Sequence, residues 1–266
     1  MPLTRITSQL ISIPSNYPLT GSLNGTASYA VTSSYLADGS QILTDNRTVA
    51  FSSSFTTAQM QALIDAQPKN LGGKNLTFQF ADGTYNLSTG LSFNYFSNGA
   101  LLINGNSSNN TVAANKNVTL SGSNPMYIAN NSTYTEVNYL KLIIRTNSYT
   151  GCLIVENTSP IVSYCSFTNN PTSITGGTGH GIIGQSGAKV LVRNCYFNFL
   201  DADIVAGYNS IVNALSNSQG SNASIAYLSY GGGIIQVQNT GLTGVTTYNA
   251  QLGGLIVRPS GTTIGT

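Results

Sequence analysis

Asp201 and Asp203 are the one pair of acids in this 266-residue chain close enough in sequence to act on a single bond. Hydrolysis of a glycosidic bond needs two carboxyl groups, about 5–5.5 Å apart when configuration is retained and about 6.5–9.5 Å apart when it is inverted. Along a strand, residues i and i+2 face one side, so the run Leu-Asp-Ala-Asp at 200–203 reads as an acid pair. A polar loop between a strand ending near Phe199 and one starting near Ile204, with both acids solvated, is the better reading, since nothing beyond spacing supports catalysis. His180 is the sole histidine, in GGTGHGIIG, and with so few acids around it a turn role fits better than metal ligation. No Ser or Cys stands in a nucleophile-elbow motif to pair with it. The three cysteines lack CxxC spacing, so neither a disulfide framework nor a zinc site is expected. No metal and no cofactor are expected.

The elements that must carry these residues are set by composition. Ten basic and eight acidic residues give a net charge of +2, which leaves no basic stripe for nucleic-acid phosphates. Ser, Thr and Asn number 32, 30 and 30, beside 28 Gly, a balance that favours strands and turns over helices. No run of about 18 apolar residues exists, so no membrane insertion is expected. The first residues, MPLTRITSQLISIPS, lack the apolar run of an export signal, and synthesis in a cytoplasm is expected.

An internal repeat organises the centre. VNYLKL (137–142), VSYCSF (162–167) and VRNCYF (192–197) align at offsets of 25 and 30, with apolar residues at positions one, four and six. A weaker fourth copy is expected where Ile225 and Tyr227 align with Cys195 and Phe197. Cys152-Leu153 aligns with Ile182-Ile183, and Ile234–Val237 is expected to begin another turn. Periods of this length mean stacked architectures. Within VRNCYF, Val192, Cys195 and Phe197 point inward, Arg193 and Tyr196 outward, and Asn194 takes a left-handed bend. The expected fold is therefore all-β: a parallel β-helix, or solenoid, of about seven turns stacked at about 4.8 Å. Cys165 and Cys195 then stack in the core as small hydrophobes. Tyr139 and Tyr164 fall at the bend filled by Asn194 one unit later. With Arg193 and Tyr196 they form a candidate glycan-binding set, and exposed tyrosines of this kind serve equally to pack a second copy of the chain.

An open solenoid end needs a cap. Thr56 or Thr57 as N-cap, Met60, Leu63 and Ile64 at helical spacing, and Pro68 beyond predict a capping helix at about 57–67. Gly72-Gly73 predicts a turn, and Leu76, Phe78 and Phe80 a strand. Residues 1–45 read as an extended N-terminal arm, with a near-repeat of ASYA and SSYL, too poor in apolar residues to bury its own surface. Residues 46–266 read as the solenoid domain, whose last 25 residues show no clean match to the repeat.

TAQMQALIDAQ followed by LTFQFADGTYNL, then LSF and LLINGN, resembles the opening of right-handed parallel β-helix proteins of the pectin-lyase-like superfamily, over roughly residues 50–240. That superfamily contains lyases and glycoside hydrolases. Its lyases usually join Ca²⁺-binding acids to an Arg base; Arg193 is the arginine on the best-defined unit, but Glu136 and Glu156 stand alone and no third acid joins them. The arm run LTGSLNGTASYAVTSSYLADGS is similar to low-charge segments of tail-fibre and tailspike appendages of tailed bacteriophages. This resemblance implies a virion structural protein made in the bacterial host cytoplasm, a homotrimer docking to other tail or capsid proteins through residues 1–45. Attachment to the host is the expected function, with a host surface glycan as a candidate ligand. The alternatives are a polysaccharide depolymerase using Asp201 and Asp203, and a non-viral β-helix adhesin.

Overall fold

The computed structural model describes residues 41–145, 150–169, 179–219, 223–238, 244–258 and 263–265. The chain winds as a parallel β-solenoid of three sheets, here sheets 1, 2 and 3, with ten, six and seven strands. One turn reads Pro160–Ser163 in sheet 1, Ser166–Asn169 in sheet 2 and Gly179–Gln185 in sheet 3, before Lys189–Arg193 returns to sheet 1. Strand formation follows from short β-branched and aromatic runs broken by Asn, Gly and Ser, which leave no room for helical periodicity.

Stacking in register lines like residues up across turns. In sheet 1, Phe78, Ile103, Val137, Val162, Val192, Ala214 and Val237 form one inward column. Sheet 2 contributes Tyr85, Leu120, Leu142, Phe167 and Phe197, and the last two rings stack at 5.1 Å. Sheet 3 contributes Leu91, Met126, Leu153, Ile182, Ile204, Tyr227 and Tyr248. Sheet 3 is apolar outside as well, where Ile154, Ile183, Val205 and Leu228 follow one another.

Left-handed residues make the corners. Between sheets 1 and 2 they are Tyr139, Tyr164, Asn194 and Ser216, at φ 63°, 53°, 54° and 54°. Between sheets 3 and 1 the series runs Tyr95, Asn130, Asn157, Ser186, Tyr208, Gly231 and Leu252. A left-handed non-glycine costs roughly 1–2 kcal/mol. Each corner offsets this by keeping its ladder bond: Tyr139 N–H donates to Ser163, Tyr164 to Arg193, Asn194 to Leu215 and Ser216 to Gln238, at 3.1–3.3 Å.

Several expectations are corrected. Ile225 and Tyr227 do not continue the VRNCYF series; they lie in sheet 3 beside Ala202 and Ile204. The true next copy begins at Ala214, within the strand Ile211–Leu215, because Val192 pairs with Ala214, 22 residues on, after Val162 pairs with Val192, 30 on. Turns shorten once the long connections between sheets 2 and 3 are lost, and a fixed offset then misses the strand. Leu153 sits opposite Ile182, one residue off the expected alignment. Gly72 and Gly73, at φ 56° and 78°, are a bulge inside the single strand Asn70–Phe80. The segment Ile234–Gln238 does begin another turn. Beyond it Leu255–Val257 extends sheet 1, and Thr263–Gly265 folds back antiparallel against it. Of the arm, residues 1–40 lie outside the described residues, including the ASYA and SSYL repeat; Ile42 already bridges Asn70 and Leu43 is buried.

Helix α1, Thr57–Asp65, starts from a capping box in which Thr56 and Gln59 exchange side-chain and backbone bonds. Met60 and Ile64 are buried in the core. Gln61 lies along the edge strand Leu91–Asn94: its amide donates to Ser92 O at 3.1 Å and accepts from Ser92 N at 2.9 Å. A side chain thus fills both backbone bonds that another strand would make. Gln61→Ala is expected to lower unfolding free energy by about 1–3 kcal/mol, read as a lower denaturant midpoint. Leu252, 83% exposed at φ 48°, gives the opposite expectation: Leu252→Asn should raise stability by about 1 kcal/mol in the same assay.

Candidate functional site

The corner between sheets 1 and 2 gathers the polar chemistry of the surface. Tyr139 and Tyr164, forced into the same left-handed position on successive turns, stack their half-buried rings at 5.8 Å and 16°. Arg193 stands opposite Ser163 in register and donates through Nε to its Oγ at 2.9 Å. Alongside, Tyr134, Glu136 and Asn138 share the strand Tyr134–Asn138. The Tyr134 hydroxyl donates to Glu136 Oε1. Asn138 Nδ2 donates to Glu136 Oε2 and to Asn104 Oδ1, each at 3.2 Å. The hydrogen bond to Glu136 raises the Tyr134 pKa, burial and the carboxylate charge add to it, and Arg193 pulls the other way. The guanidinium therefore lies within electrostatic reach of the Tyr134–Glu136 pair. A stacked aromatic pair beside a cation, a carboxylate and amides can grip sugar rings through their faces and their hydroxyls.

Of the predicted glycan set, the structure brings Tyr139 and Tyr164 together, with Arg193 one turn on from Ser163. Tyr196 lies past the corner on sheet 2, between Ser166 and Ser218 in register. Sequence reasoning missed Tyr134 and took Glu136 as isolated. The alternation Tyr-x-Glu-x-Asn over 134–138 was the available signal, since it puts three polar groups on one strand face. Glu156 is not isolated either: on the outer side of sheet 3 its carboxylate accepts from the Tyr127 hydroxyl and from Gln185. Burial, then the bond to Glu156, pushes Tyr127 up to about 12.

Asp201 and Asp203 occupy different environments. Asp201 is half-buried in the bend before the strand Ala202–Ala206. Asp203 is 0% exposed, and neither carboxyl oxygen has a hydrogen-bond partner. The cause is a break in strand alternation. Cys152, Gly181, Asp203 and Ala226 lie level on four turns, between the paired positions Gly151/Leu153, His180/Ile182, Ala202/Ile204 and Ile225/Tyr227. Cys152 and Leu153 are both buried in the core, as are Ala226 and Tyr227, so two successive residues turn inward there. A side chain at Gly181 would run into the Asp203 carbonyl and the Phe197 ring. Burial lifts the Asp203 pKa well above the usual carboxylate range. A buried carboxyl beside a half-exposed one does not present two acids to a polymer.

His180 is buried, and burial lowers its pKa while Asp201 pulls it up. Cys165 and Cys195 are buried at the first inward position after the corner, and burial drives the Cys195 thiol well up. Among the described residues no three His, Cys, Asp or Glu side chains gather to hold a metal, and no helix is long and apolar enough to cross a membrane. No protein-family model, curated protein or solved structure matches the chain.

Asp203 makes a pH prediction. Its folded pKa lies above its unfolded one, so the folded state holds a proton that the unfolded chain releases above about pH 4. Stability is therefore lost as pH rises, by about 1.4 kcal/mol per unit until the folded pKa is reached. Asp203→Asn removes this term. Denaturation at pH 4 and pH 7 should show the variant close to the parent at pH 4 and more stable than the parent at pH 7.

Proposed function

We propose that the chain is a structural appendage protein of a tailed-bacteriophage virion, of the short tail-fibre or tailspike type, whose solenoid meets the host surface and recognises a glycan there. The observation that carries this reading is the Tyr139–Tyr164 stack beside the Arg193, Glu136 and Asn138 groups. The two rings stand at the corner of sheets 1 and 2, fixed by the ladder bonds of their own N–H groups, with Arg193, Glu136 and Asn138 on the adjoining strands of sheet 1. The charge-poor composition supports association, since weakly charged faces are poor at staying apart. The phage resemblance of the low-charge run at 19–40 supports the particle, with residues 1–45 docking to other virion proteins. The assembly proposed is a homotrimer with its solenoids side by side.

Light scattering on the full chain, followed by a glycan array, tests the proposal. A trimer is expected, retaining a glycan whose binding falls at least tenfold in Tyr164→Ala. A monomer, or a folded trimer that retains no glycan, contradicts it.

A further inference from the structure

Two cysteines on consecutive turns carry a chemistry that packing alone does not use. Cys165 and Cys195 are free thiols, both fully buried, and they lie level with one another. Ser163 and Arg193 before them, and Ser166 and Tyr196 after them, are in register, and Tyr196 N–H donates to Cys165 O at 2.9 Å. Their α-carbons are therefore one turn apart, about 4.8 Å, inside the roughly 4.4–6.8 Å that a disulfide spans. The side chains take the same direction. Cys165 Sγ donates to Val137 O at 3.6 Å and Ser163 O at 3.4 Å, and Cys195 Sγ donates to Val162 O and Arg193 O at 3.6 and 3.4 Å. The two thiols are also hydrogen-bonded to each other. The same position holds Leu140 one turn before and Asn217 one turn after, so the fold itself does not demand a thiol there.

The surroundings favour a thiolate. Lys116 is buried, with Nζ donating to the carbonyls of Asn109 and Thr111 at 2.9 and 2.6 Å, and its charge reaches both sulfurs. Burial opposes ionisation of Cys165, but the hydrogen bond with Cys195 and the Lys116 ammonium outweigh it and bring its pKa below that of an ordinary thiol. Cys195, pushed up by burial, keeps its proton. A thiolate in contact with a second thiol is the arrangement of an attacking and a resolving cysteine. Cys152 supplies the contrast. It lies apart from the pair on sheet 3, donates to Leu142 O and Thr168 O at 3.5 and 3.6 Å, and is pushed by burial up to about 12.

We propose that Cys165 and Cys195 are a latent disulfide, a covalent staple between two consecutive turns that closes when the chain meets a disulfide oxidant such as glutathione disulfide. The Cys165 thiolate attacks one sulfur of glutathione disulfide, whose S–S bond breaks and releases one glutathione. Cys195 then gives up its proton, and its sulfur attacks that of Cys165, forming the bond between turns and expelling the second glutathione. Two electrons pass from the cysteines to the oxidant, and the two thiol protons end on the two glutathiones. Because both sulfurs are buried, each exchange waits for a local opening of the corner. Excess thiol reverses the reaction. The staple ties the turn that carries Tyr164 to the turn that carries Asn194, and it stands independently of the function proposed above.

Incubation of the full chain with glutathione disulfide, followed by intact mass and peptide mapping without reduction, tests it. One disulfide joining the peptides of Cys165 and Cys195 is expected, with Cys152 still a thiol. The thermal midpoint should rise by roughly 3 °C or more and return on adding dithiothreitol. Cys195→Ala, checked for a cooperative thermal transition, should stop at a single glutathione on Cys165. Lys116→Gln, checked for an unchanged midpoint, should slow closure by about threefold or more. No cross-link in the parent even in sub-denaturing urea, a cross-link through Cys152, a midpoint lowered by closure, or closure of Lys116→Gln at the parent rate would each overturn the proposal.

Discussion

The ladder that runs unbroken through the corners governs this molecule. In a parallel solenoid each buried backbone N–H needs an acceptor, and the carbonyl one turn away supplies most of them, at the bends as well as along the strands. At the corner of sheets 1 and 2 the chain meets this demand by putting Tyr139, Tyr164, Asn194 and Ser216 into left-handed geometry, with each N–H donating to the next turn. Glycine would adopt that geometry without strain. Tyrosine there is costlier, and it leaves two aromatic rings projecting from the same point on adjacent turns.

The candidate surface follows from that register. A residue on one turn lies about 4.8 Å from its counterpart on the next, so a column of side chains becomes a linear array without any loop to order. The Tyr139–Tyr164 stack at the corner and the Ser163–Arg193 bond on sheet 1 are two such columns. The Ser121, Ile143, Thr168 and Asn198 column on sheet 2 is another. The inner face obeys the same rule, where Phe167 lies on Phe197 and Tyr227 on Tyr248. Rigidity in the core and preorganisation on the surface thus have one origin, which suits recognition of a repeating polymer.

The sequence made the solenoid legible wherever turns kept a length of 25 to 30, because Val137, Val162 and Val192 then recur with Cys165 and Cys195 behind them. The corner residues were legible too, since Asn194 named the bend and the tyrosines aligned with it. Periodicity failed where turn length changed: the 22-residue step to Ala214 hid the next strand and put Ile225 on the wrong sheet. Strict alternation failed at Asp203, where one extra inward residue per turn moves a carboxyl from the surface to the core.

Amide hydrogen exchange, resolved to single residues, tests the central claim most directly. If the ladder runs through the corners, the N–H groups of Tyr164, Asn194 and Ser216 exchange as slowly as those of the flanking strands Pro160–Ser163 and Lys189–Arg193. Exchange of those three amides at the rate of open turns, with the strands still protected, would contradict it.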